Sequence, residues 1–144
     1  MIVRRREDAR FLSGRGRYVT DLPLAPALHA AIVRSPHAHA RILGVDARAV
    51  RGWPGVHGVF VLGDLPELRG ALPPPVVPAQ PVKPYRQSAL ADGVARFAGE
   101  PVAVVLAADP YRACDAAEAV RVEYAALPAV LDPLQAAAPA APCV

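Results

Sequence analysis

Two histidines, His37 and His39, stand two positions apart, and their type and spacing come closest to those of a metal site. An extended backbone points such a pair to the same side, which is a common arrangement for two metal ligands. Two ligands are too few to hold a transition metal, and the sequence places no third ligand beside them. We therefore expect loop histidines without a metal. His29 and His57 fall in strand patterns and are expected to be packed or surface residues.

Nucleophiles are few. None of Ser13, Ser35 and Ser88 lies in the Gly-x-Ser-x-Gly pattern of a serine hydrolase. Cys114 and Cys143 stand 29 positions apart with no Cys-x-x-Cys pair, which argues against an iron–sulfur cluster or structural zinc site in this chain. Cys114 falls in the middle of an Ala-rich helical pattern, so we expect a small, buried and inert thiol there.

Glu100 is the acidic residue whose position is most informative. It lies between Gly99 and Pro101 at the start of a strongly apolar run. A carboxylate at the edge of a core usually pairs with a cation, and we expect a structural ion pair with an arginine, for example Arg34 or Arg41. A catalytic acid would need a substrate pocket, which nothing in the sequence indicates.

Phosphate-binding patterns are weak. Gly14 and Gly16 lack the preceding strand and the third glycine of a dinucleotide-binding loop, and no Gly-Lys-Ser/Thr phosphate loop occurs. Residues 1–51 contain ten arginines and four acids, whereas residues 52–144 contain six basic residues and nine acids. Acids interrupt the basic segment and aromatic residues are scarce, so protein contact is favoured over nucleic acid. The arginines concerned are Arg4, Arg5, Arg6, Arg10, Arg15 and Arg17.

Alternating apolar residues predict a hairpin of two strands over 27–34 and 40–45, and a central strand over 56–62. Further strands are predicted over 102–108 and 122–125. A chain of 144 residues with 53% hydrophobic and 20% charged residues supports one hydrophobic core. The predicted fold class is α+β, a single domain with a mixed sheet and helices packed on it.

Helices are predicted by their end signals. Asp109 followed by Pro110 is a strong start signal for a helix, because an aspartate caps free amides and proline suits the first helical position. Asp46 predicts a short helix to residue 51, and another is predicted over 5–12. Residues 66–84 are Pro-rich and predict an extended surface connection rather than a ligand for a Pro-binding domain. We expect the domain to cover 1–134 and an Ala/Pro-rich tail or linker to cover 135–144.

Three segments together resemble the N-terminal α/β hammerhead domain of molybdenum hydroxylase large subunits, the xanthine dehydrogenase, aldehyde oxidase and carbon monoxide dehydrogenase superfamily. They are Gly-Arg-Gly-Arg-Tyr-Val-Thr-Asp at 14–21, Val-Arg-Ser-Pro-His-Ala-His-Ala-Arg-Ile at 33–42, and Gly-Glu-Pro-Val-Ala-Val-Val at 99–105. Residues 113–132 are similar to the family's closing helix and strand. The resemblance covers about residues 4–134. Thr20, where the family often has an acid, and the Pro-rich stretch before Lys83 depart from its pattern.

The resemblance implies an enzyme that, when complete, oxidises aldehydes, N-heterocycles or carbon monoxide at a molybdenum–pterin cofactor, with iron–sulfur clusters and FAD in partner domains or subunits. The pterin loops and the glutamate base lie in later domains of the family, so we expect no catalytic, cofactor-binding or metal residue here. The chain alone is expected to be inactive and to bind the remaining large-subunit domains. Iron–sulfur and flavin subunits are further expected partners.

Two other hypotheses remain: a stand-alone protein-interaction module and, with less support, an arginine-mediated nucleic-acid binder. The opening residues lack the apolar stretch of a signal peptide, and the longest strongly apolar run, 102–108, is far shorter than a membrane span. We therefore expect a cytoplasmic protein without a membrane partner. Exposed apolar surface and self-association are also expected, because such a domain is normally covered by the rest of a subunit.

Overall fold

The computed structural model describes residues 5–24, 26–70, 72 and 87–142. These residues contain three α-helices and six strands. The helices are α1 (Asp8–Leu12), α2 (Pro110–Ala119) and α3 (Pro133–Ala136). The strands are β1 (His29–Arg34), β2 (Ala40–Asp46), β3 (Val56–Val61), β4 (Val94–Ala95), β5 (Pro101–Ala107) and β6 (Arg121–Ala126).

The described strands form two antiparallel sheets of three strands each. The first sheet has the order β1-β5-β3, and the second has the order β4-β2-β6. In the first, Ile32 lies opposite Val104; in the second, Val45 lies opposite Val122. The α+β class is confirmed. The expected single mixed sheet is wrong in its arrangement, because every described pairing is antiparallel and the strands divide between two sheets.

The predicted hairpin of β1 and β2 is also wrong. The backbone amide and carbonyl of Ser35, just after β1, bond to Glu100 and Gly99 instead of to a returning strand. The chain therefore leaves the first sheet at Ser35 and enters the second as β2. Two alternating runs separated by five residues look the same in sequence whether the link turns back or crosses over.

β3 is an edge strand of its sheet among the described residues, although its apolar pattern predicted a central one. Its two faces are apolar for different reasons. Val59 packs against the core, whereas the Phe60 ring on the opposite face lies over Gly58, where a Cβ would stand only 2.9 Å from the ring. β5 takes the central position, and its buried-strand prediction is confirmed.

The strongest helix signal produces the helix that builds the core. The Asp109 carboxylate accepts a hydrogen bond from the Arg112 amide at 2.9 Å, and Pro110 begins α2, as predicted. Ala113 and Ala116 are buried, and such small side chains let α2 pack closely on β1 and β5. The core cluster joins both sheets through this helix; its buried members are Val50, Val105, Ala116 and Val120.

Two short predicted helices are present but are shorter than predicted. The first is α1, and Gly14 after it takes a left-handed φ of 68°. The second is a 3-10 turn over Arg48–Val50, with the Asp46 carboxylate accepting from the Arg48 amide at 2.9 Å. It places Val50 in the core.

Some predictions fall on residues that the structure does not describe. Most of the Pro-rich stretch lies outside the described residues, which include the 3-10 turn Pro66–Leu68. Arg4 and Cys143 also lie outside them, and the domain boundary after residue 134 stays a prediction. None of the helices in the described ranges has the length and apolar character needed to cross a membrane.

The core predicts a contrast between two adjacent valines of β5. Val105 is fully buried against α2, and Val105→Ala is expected to lower the free energy of unfolding by about 2 kcal/mol, because it leaves a cavity. Val104 lies half-buried on the opposite face, so Val104→Ala is expected to cost less than half as much. Urea unfolding of both variants provides the measurement. Equal losses would contradict this assignment of the faces.

Candidate functional site

The sheets are joined where two chain segments cross between them side by side. Residues 35–39 lead from β1 to β2, and residues 96–100 lead from β4 back to β5. The Ser35 amide donates to the Glu100 carbonyl at 3.0 Å, and the Gly99 amide donates to the Ser35 carbonyl at 2.7 Å. The Arg34 guanidinium donates to the Gly99 carbonyl at 2.8 Å. We call these two segments the crossover junction, and the second and third sequence signatures meet there.

Glu100 is the buried charge of the crossover junction, with 4% of its surface exposed. Its carboxylate accepts a hydrogen bond from the Arg96 amide and lies 3.6 Å from the Arg96 guanidinium. The predicted ion pair with an arginine therefore exists, and the arginine is Arg96 rather than either of the suggested partners, Arg34 and Arg41. Gly99, with a φ of 91°, helps the chain turn within 96–100 and brings Arg96 back to the carboxylate. This arrangement gives Glu100 a structural role.

The two histidines of the junction lie in a bent segment rather than an extended one. The His37 ring contacts the Tyr124 ring, with centroids 4.9 Å apart. The His39 Nδ1–H donates to the Pro128 carbonyl at 2.6 Å, and the Leu127 amide donates to the His39 carbonyl at 2.9 Å. Both side chains thus bind β6 and the segment after it. Across the described ranges, no three His, Cys, Asp or Glu side chains form a group that could hold a metal ion.

Ser35 and Tyr124 are the residues whose role the sequence analysis missed. The buried Ser35 hydroxyl accepts from the His37 amide at 3.1 Å, a short turn that the Ser-Pro-His order could have indicated. Burial raises the pKa of the Tyr124 phenol above its ordinary value, and a hydrogen bond with Ser35 partly offsets this. The serine considered as a nucleophile is a connector between the two sheets.

The remaining candidates lie apart from the junction. Cys114 is an exposed free thiol, which corrects the expectation of a buried one. Its neighbour Ala113 takes the buried face of α2, and one residue along a helix turns the side chain by about 100°. Ser13 bonds to the end of α1, while His29 and His57 are exposed on the first sheet.

An open cleft of about 990 Å³ is lined by residues of both sheets, from β2, β3, β5 and β6. Asp46, on this cleft, pairs with Arg48 at 2.8 Å. Hydrogen bonds from the Arg48 side chain and then its backbone amide lower the pKa of Asp46 to about 2. The carboxylate is therefore ionised and paired near neutral pH, and it is poorly suited to proton transfer.

Residues 13–128 match the family model described as "Aldehyde oxidase and xanthine dehydrogenase, a/b hammerhead domain". The chain belongs to this family. This confirms the resemblance drawn from the three signatures. In this chain, two of those signatures, at 33–42 and 99–105, meet in the crossover junction.

Individual relatives extend the comparison. The domain is 44% identical to the carbon monoxide dehydrogenase large chain of Hydrogenophaga pseudoflava over 95% of this chain and 16% of that protein. It superposes on quinoline 2-oxidoreductase from Pseudomonas putida 86 with a TM-score of 0.76 and 46% identity, over 89% of this chain and 16% of that one. It superposes on a Cu,Mo-CO dehydrogenase with a TM-score of 0.77 and 38% identity, over 97% of this chain and 17% of that one. The hammerhead domain thus spans about one sixth of each of these relatives.

Substitutions of Glu100 test the crossover junction. Glu100→Ala is expected to lower the free energy of unfolding by about 2 kcal/mol, because the Arg96 amide loses its acceptor. Glu100→Gln keeps an acceptor oxygen and is expected to cost about half as much. Arg41→Ala is the control, since Arg41 is exposed on β2. Chemical denaturation measures all three, and a loss at Arg41 as large as that at Glu100 would contradict the pairing.

The raised pKa of Tyr124 predicts an alkaline effect. Below pH 10.0, the ordinary pKa, the phenol is protonated whether folded or unfolded, and its contribution to stability is complete. Above it the unfolded chain loses the proton first, so the contribution falls until the pH passes the folded pKa. In Tyr124→Phe, the free energy of unfolding is expected not to show this fall when it is measured from unfolding curves between pH 8 and 11. Parallel pH profiles for the two proteins would count against it.

Proposed function

We propose that the hammerhead domain is a structural and assembly part of a molybdenum hydroxylase and is not catalytic alone. The observation that carries the proposal is the face of the first sheet opposite α2. Ile32 on this face is 38% exposed, and Phe60, Val104 and Leu106 beside it are only partly buried. Contiguous apolar side chains left partly open to water suit contact with another protein surface.

Positions along the strands define this open face. Ile32 and Phe60 lie on either side of Val104, and Ala30 lies opposite Leu106. These side chains alternate with the ones that pack on α2, so covering them requires no change in the core. We propose that the remaining large-subunit domains cover this face. Without them, the chain is expected to self-associate.

The family relationship implies a molybdenum–pterin cofactor for the complete enzyme, and one structural relative is named a Cu,Mo-CO dehydrogenase. The described side chains of this domain do not fit that group. Its junction histidines are engaged by Tyr124 and Pro128, and the Asp46 carboxylate is paired with Arg48. We propose that the cofactor is held elsewhere in the assembly. Iron–sulfur and flavin domains or subunits would complete the assembly in the cytoplasm.

The test pairs the isolated chain with a chimaera. The isolated chain is expected to bind no molybdenum and to oxidise no aldehyde, purine or carbon monoxide. In the chimaera, it replaces the 137-residue matching segment of the Hydrogenophaga pseudoflava carbon monoxide dehydrogenase large chain. We expect an assembled, molybdenum-containing enzyme that oxidises carbon monoxide.

Elemental analysis, size-exclusion chromatography and dye reduction measure these outcomes. The unaltered relative serves as the positive control for assembly and turnover. Stoichiometric molybdenum with turnover in the isolated chain would overturn the proposal. A folded chimaera that fails to assemble would also overturn it.

A further inference from the structure

The segment before β1 has an unusual character, because it carries many large apolar side chains and buries none of them. We call residues 5–24 the arm; it contains α1 and a 3-10 turn over Val19–Asp21. No residue of the arm is buried. The first sequence signature, at 14–21, falls within it. Its most exposed large apolar side chains are Leu12 at 87%, Val19 at 81%, Leu24 at 70% and Tyr18 at 62%.

Despite this exposure, the arm is locally ordered by its own contacts. The rings of Phe11 and Tyr18 stack with centroids 5.6 Å apart and planes 11° from parallel. The guanidinium of Arg10 lies 5.1 Å from the centre of the Phe11 ring. The Asp21 carboxylate accepts from the Tyr18 amide at 2.8 Å, which closes the following turn.

Both glycines of the signature are needed for this local shape. Gly14 has a left-handed φ of 68° directly after α1, a conformation that costs other residues energy. At Gly16, a Cβ would stand 2.5 Å from the Phe11 ring, so only glycine lets the chain pass beneath it. With Tyr18 and Asp21, these residues maintain an element that adds nothing to the buried core.

We infer that the arm is a preshaped anchor that binds an apolar groove with an acidic rim on the remaining large-subunit chain. This inference rests on the proposed function and names one of its contacts. A shape fixed beforehand lowers the entropy lost on binding. The charge fits an acidic rim, because residues 5–24 contain five arginines and three acids, a net charge of +2. The exposed Leu12 and Val19 would enter the groove.

A protein partner explains the arm better than nucleic acid does. Single-stranded nucleic acids bind through bases stacked on open aromatic faces beside basic side chains. In the arm, the Phe11 and Tyr18 rings stack on each other, and Arg10 lies near the Phe11 ring. Its other exposed side chains include aliphatic groups, which gain most from burial in an apolar groove.

The test uses Leu12→Ser with Val19→Ser, made both in the isolated chain and in the chimaera with the Hydrogenophaga pseudoflava large chain. We expect an unchanged melting temperature for the isolated chain, because neither side chain is buried. We expect the yield of assembled chimaera to fall about tenfold or more, as it does when interface anchors are lost. Leu131→Ser with Leu134→Ser is the matched control, since these leucines are 85% and 83% exposed.

Gly16→Ala tests the preshaping separately. The added methyl group displaces Phe11 without removing any apolar side chain, so we expect weaker assembly at an unchanged melting temperature.

Each outcome decides between the proposals. If the unaltered chimaera fails to assemble, the proposed function is wrong. If it assembles and the arm variants assemble equally well, the anchor is wrong and the proposed function stands. A lowered melting temperature in the isolated variants would place the arm in the fold and overturn the anchor. If the isolated chain binds a DNA oligonucleotide, and this binding needs the arm and weakens with salt, the arm's partner is nucleic acid and the protein groove is wrong.

Discussion

The hydrogen bonds between the two segments that cross from sheet to sheet are the constraint on which the rest of the structure depends. Ser35 and Glu100 are buried there, and a buried polar group is costly unless it is bonded. The Ser35 amide bonds to the Glu100 carbonyl across the crossing, whereas the Ser35 hydroxyl and the Glu100 carboxylate bond to His37 and Arg96 in their own segments. No buried side-chain polar atom within the described part of the chain lacks a partner. The requirement to satisfy these groups fixes where the chain leaves one sheet and enters the other.

Once the crossings are fixed, the packing of the domain follows. α2 runs from the end of β5 to the start of β6 and covers one face of the first sheet with small side chains. The opposite face retains Ile32 and Phe60 as partly open apolar side chains. The polar groups at the junction are occupied by structural contacts, and this supports the proposal that the chemistry is carried out elsewhere in the assembly.

Local signals in the sequence predicted α2 and β5 well, because Asp109, Pro110 and a continuous apolar run act within a few residues. Other predictions were wrong: β1 does not pair with β2, the arginine beside Glu100 is neither of those suggested, and Cys114 is exposed rather than buried. The first two depend on which distant segment lies beside the residue. The burial of Cys114 depends on its position around the helix, where one residue turns the side chain by about 100°. The role of Ser35 was hidden for the same reason, since its backbone partners are more than sixty residues away in sequence.

Native-state hydrogen exchange at the amides of Ser35 and Gly99 tests the central role of the crossover junction most directly. Both amides bond across the crossing, and the account predicts that they exchange only when the whole domain unfolds, with the same free energy as the buried Val105 amide of β5. Exchange at Ser35 and Gly99 through a much smaller opening, while Val105 stays protected, would contradict the dependence of the fold on this junction.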